Sequence, residues 1–170
     1  KYRLVIEDYG SNDFLIVTFT DENKILTKDN LNQIKLFVER VGKLNWVESI
    51  QSIFDVPLLE VNDQSLTDLI NEVLTIESSG VDLIDAEKEL LNSPIFKNLI
   101  ISEDASSTAV LINFKKDEKH EFLIQERERL RNLDEPSKED IDNLKRINLD
   151  YQISKKNFDE KRHNNISEIR

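Results

Sequence analysis

Two apolar, β-branched runs frame this chain, "FLIVTFT" at 14–20 and "WVESIQSIF" at 46–54. Between them Leu31, Ile34, Phe37, Val38, Val41 and Leu44 recur at helical spacing, so the intervening segment buries one face. Thr27 is placed to cap that helix, Asp29 lies in its first turn, and Gly42 stands where it would end. Parallel strands need a crossover of about a dozen residues or more, usually helical. The spacing here predicts a β-α-β unit that follows a turn at Gly10-Ser11-Asn12-Asp13. Pro57 keeps the second strand from continuing inside a sheet.

Further along, Ser65-Leu66-Thr67-Asp68 has the form of a capping box that opens a short helix through about Leu74. A second short helix is expected over roughly 83–92, closed by Ser93-Pro94. "NLIIS" (98–102) and "TAVLINF" (108–114) read as a hairpin across Glu103-Asp104-Ala105-Ser106. These elements give about four strands and three helices. The fold class is α+β, with β-α-β units forming a small mixed sheet covered by helices.

After Phe114 the composition changes. Residues 115–170 hold 28 Asp, Glu, Lys or Arg among 56. A helix is expected over 118–133, a turn at Asp134-Glu135-Pro136, and a long helix from Ser137, where Ser137-Lys138-Glu139-Asp140 repeats the capping-box form. Leu144, Tyr151 and Phe158 repeat every seven residues like a coiled-coil seam, with the polar residues Asn148, Lys155 and Arg162 as companions. A helix over 137–169 would be on the order of 50 Å long, so part of it should project. The expected organisation is therefore an α+β subdomain over 1–115 and a charged helical segment over 116–170.

A net charge of −11 argues against nucleic acid as a partner, because that binding rests on Lys and Arg neutralising phosphates. It equally disfavours docking on an anionic membrane surface. The absence of Cys removes disulfides, thiol catalysis and Cys-based metal sites. The chain also contains no Met, which suggests a processed or excised segment of something larger. Its longest apolar runs are too short to span a bilayer.

Little in the sequence points to catalysis. His120 and His163 lie far apart in charged helical segments and read as solvated surface residues. Gly10, Gly42 and Gly80 form neither a phosphate-cradling loop nor a nucleophile elbow. The carboxylates Glu7, Asp8 and Asp13, and the pair Glu103-Asp104, fit solvated turns and lack the spacing of a calcium loop. No catalytic, cofactor or metal residue is assigned, and no cofactor is expected. Trp46 reads as a core or layer-interface residue that could also meet a ligand. Phe54, Leu58 and Leu59 bracket Pro57 and could line a cleft there or close the core; with Trp46 they are the candidate substrate-binding residues.

The ordered stretches "YGSNDFLIVTFT", "LNQIKLFVERVGKLNWVESIQSIFDVPLL" and "ELLNSPIFKNLIISEDASSTAVLINF" resemble the first periplasmic loop of bacterial resistance-nodulation-division (RND) superfamily exporters, in particular their MMPL-like branch. Asp55, Val56, Pro57 and Leu58 match an Asp-Val-Pro-Leu pattern of that family, and Glu89, Leu90, Ser93 and Pro94 match its "ELxxSP". Glu126 to Arg131 and Asn165 to Arg170 resemble its charged helical stretch with a closing Ile-Arg. In the family a further strand with a Gly-Gly element follows.

The resemblance implies a porter-domain fold of the ferredoxin-like split β-α-β kind. It implies a parent in the bacterial inner membrane that uses the proton gradient to export a hydrophobic or amphiphilic small molecule or lipid. This segment would sit in the periplasm between the flanking transmembrane helices of the parent, without enzymatic activity, and could contribute contacts in a homo-oligomer. Proton-carrying residues of such transporters lie within membrane helices, so none is assigned here. The alternative is an interaction module that dimerises or docks through the long C-terminal helix.

Overall fold

The computed structural model describes residues 14–59 and 74–169. The turn at 10–13, the carboxylates Glu7, Asp8 and Asp13, and nearly all of the helix expected from Ser65 lie outside these residues. The fold is α+β: the described residues form a three-stranded antiparallel sheet and four α-helices, one of them a long C-terminal helix. The chain divides into two compact units after Phe114.

In the first unit, β1 (Phe14–Thr20) leads into α1 (Lys28–Val41), then β2 (Val47–Gln51), α2 (Leu83–Asn92) and β3 (Ser107–Phe114). The strand order is β1-β3-β2, with β3 antiparallel to both neighbours. The crossover through α1 therefore sets β1 and β2 in the same direction, as the β-α-β spacing predicts. The two strands do not touch, because β3 returns between them, which is the split form of the unit. Each ladder of the sheet is antiparallel.

Alternation fixes the faces of this sheet. Thr108, Val110, Ile112 and Phe114 of β3 are buried, and their register partners in β1 put Phe19, Val17 and Leu15 on the same side. Phe19 meets Phe37 of α1 edge-on, with centroids 5.2 Å apart, so α1 covers this face. The opposite face carries Phe14 and Ile16, 50% and 54% exposed, beside Asn113 and Leu111.

Local chemistry explains most element ends. Thr27 Oγ1 accepts from the Asn30 N–H at 3.3 Å and caps α1. Gly42 ends α1 with right-handed backbone (φ −62°), and a Cβ there would lie 3.1 Å from the Val38 carbonyl oxygen. Its use is close approach, not a left-handed turn. Asp82 caps α2, its Oδ1 accepting from the Ile84 N–H at 2.8 Å.

Two expected strands are corrected. The run expected as a strand over 46–54 stops at Gln51, because Ser52 starts a capped 3₁₀ turn over Ile53–Asp55. Ser52 donates its N–H and hydroxyl to Asp55 Oδ2 at 2.8 and 3.0 Å, so the chain has already left the sheet before Pro57. Residues 98–102 form only isolated bridges at Ile101, to Thr108 and to Lys97, instead of a full hairpin strand. One edge of β3 is filled by β1 over 107–113, and β2 takes 111–114 of the other. Only the 107–109 end of that second edge remains for Ile100 to Ser102.

The second unit is a helical hairpin, α3 (Glu118–Arg131) and α4 (Lys138–Ile169). Asp117 caps α3, accepting from the His120 N–H at 3.1 Å. At the start of α4 the Asp140 N–H donates to Ser137 Oγ at 3.2 Å, and the Ser137 N–H donates to Asp140 Oδ2 at 2.9 Å. This reciprocal pair satisfies two otherwise orphaned donors. Ser137→Ala is expected to cost about 1 kcal/mol, read as faster amide exchange in the first turn of α4 with α3 unchanged.

Candidate functional site

The four candidate substrate-binding residues diverge in the folded unit. Trp46 is 9% exposed and stacks on Phe114 at 5.0 Å, with 21° between ring planes. Leu58 is fully buried, and its N–H donates to the Leu74 carbonyl at 2.8 Å. Phe54 is half-buried in the 3₁₀ turn, whereas Leu59 is 59% exposed. Two of the four thus close the core and one faces solvent.

Around this point α2 acts as an anchor. The Leu59 N–H donates to Glu89 Oε1, and buried Glu87 pairs with Lys24 Nζ. Both carboxylates therefore hold backbone or loop segments onto α2. Such pairing is what a buried carboxylate requires, since an unpaired charge there would be costly.

The turn before β3 is held by Asp104. Its Oδ1 accepts from the Ser102 hydroxyl at 2.6 Å, the Ser106 hydroxyl at 2.8 Å and the Ser106 N–H at 3.1 Å. These bonds keep Ala105 in left-handed backbone (φ 57°), a conformation that costs a non-glycine residue roughly 1–2 kcal/mol. The Ala105 carbonyl then accepts from the Ile25 N–H at 2.8 Å, which ties the turn to the loop before α1. The Ser102 hydroxyl, then the Ser106 N–H and hydroxyl, pull Asp104 down from its ordinary 3.8 to about 2. A carboxylate lowered in the folded state stabilises above its unfolded value and loses that contribution as pH falls through the folded one. The turn should therefore hold at pH 4 and loosen between pH 4 and 2, seen as a carboxyl titration by NMR that Asp104→Asn abolishes.

No protein-family model, curated protein or solved structure matches the chain.

The hairpin unit holds the residue most misjudged from sequence. His120 is 7% exposed, not solvated: its ring inserts between Phe158, at 4.6 Å and 10°, and Tyr151, at 5.6 Å and 17°. Its Nδ1 shares a 2.9 Å hydrogen bond with Ser154 Oγ. The Arg127 guanidinium lies 4.2 Å over the other contact of this seam, the Tyr151 ring. Burial works to raise Asp117, yet the His120 N–H and Lys161, 3.2 Å away, together hold its carboxyl below the ordinary value. Leu123, Leu130 and Ile147 form the apolar floor, with Leu133, Leu144 and Tyr151 packed against it.

The seam signal was present but out of phase. From Leu144 and Tyr151 the facing companions lie three residues on, at Ile147 and Ser154, and not four on at Asn148 and Lys155; beyond Phe158 the exposed Lys161 reaches Asp117. On α3 the matching row is His120, Leu123, Arg127 and Leu130, which would have placed His120 inside. His163 is exposed.

Among the described residues no group of three or more His, Asp or Glu could hold a metal ion. In those residues, too, no helix is long and apolar enough to cross a membrane. What the arrangement offers is an α+β unit with anchored loops and a helical hairpin in which buried His120 adjoins an apolar core.

Proposed function

We propose that this chain is a porter-type periplasmic domain of a proton-driven RND-superfamily exporter, with a structural and guiding role instead of a catalytic one. The observation that carries the reading is the split β-α-β arrangement, in which β1 and β2 run in the same direction with β3 between them. That is the fold implied by the ordered resemblance of "FLIVTFT", "DVPLL" and "ELLNSP" to the family. The Asp-Val-Pro-Leu stretch has a physical use consistent with this reading. Asp55 closes the 3₁₀ turn, Val56 and Leu58 enter the core, and Leu58 bridges to Leu74. The stretch is architecture at the point where the chain leaves the sheet.

In this reading the parent carries the proton path in its membrane helices, and its cargo is a hydrophobic or amphiphilic molecule or lipid. The module alternative drew on the heptad residues of the long helix. Leu144 and Tyr151 pack against α3 within the same hairpin, and Phe158 stacks on His120, so those side chains already have a partner.

The parent gene should encode an apolar span of about 20 residues on each side of this segment and a second, similar half. Because the segment contains no Cys, Leu59→Cys in an otherwise Cys-free parent makes a clean reporter at an exposed position. Labelling by a membrane-impermeant maleimide added to the periplasmic side is expected. Labelling only after lysis, or soluble reading frame on both sides, overturns the proposal.

A further inference from the structure

We draw no further inference here: the strongest candidate, the open face of the three-stranded sheet where Phe14 and Ile16 stand half exposed beside Leu111, carries no proposal because nothing in the structure shows what covers it.

Discussion

Trp46→Ala is expected to lower the stability of the α+β unit by about 3–5 kcal/mol, the range for removing a large aromatic from a core. The side chain is 9% exposed and stacks on Phe114, the last residue of the central strand, so its loss opens a void beside β3. The neighbouring candidate Leu59, 59% exposed, should tolerate Ala to within about 0.5 kcal/mol. Urea unfolding followed by circular dichroism separates the two, with fluorescence avoided because Trp46 is the chain's single Trp. The pairing makes the measurement informative. If Trp46→Ala matched the unchanged chain in midpoint, the ring would not be part of the core, and a ligand-facing role for it would return.

Ile147→Ala is expected to cost the helical hairpin about 2–4 kcal/mol, while Ile153→Ala should change it by less than about 0.5 kcal/mol. The two residues are the same type on the same helix, six positions apart. Ile147 packs with Leu123 and Leu130 of α3, whereas Ile153 is 63% exposed. The contrast therefore tests the phase of the seam and not helix propensity, which is equal at both sites. Thermal melts of the two variants would decide it. Equal losses would mean that α4 presents a different face to α3 from the one described.

Much of the α+β unit was legible because its signals are local. The alternation of β1, the period of α1, its Thr27 cap and the Ser93-Pro94 close of α2 each depend on residues within a turn or two. Pairing order is not of that kind. Nothing in "TAVLINF" states that it will lie between 14–20 and 47–51, since a strand with alternate buried side chains can pair on either edge. The early end of β2 was legible in principle, for Ser52-x-x-Asp55 is a capping box, but the β-branched residues around it gave the stronger signal. His120 failed for another reason. Its neighbours Glu118, Lys119 and Glu121 are charged, and composition outweighed phase although the row through Leu123, Arg127 and Leu130 included it. As for Phe54, Leu58 and Leu59, nearness to Pro57 in sequence suggested a shared cleft. A strand exit and a 3₁₀ turn send successive side chains in different directions, so adjacency along the chain did not become a common surface.

The place of β3 also sets a timetable. The last strand of the α+β unit is the middle of its sheet, and the hydroxyls of Thr20 and Ser107 meet across 87 positions of chain. Closing so long a loop must be paid in entropy before any ladder returns energy. In the unfolded full-length chain β1 and β2 have no described partner until β3 is brought back across that loop, whereas α3 and α4 are neighbours joined by a short turn and can pair locally. The hairpin should therefore refold fast and the sheet slowly, giving a chain whose final segment organises first.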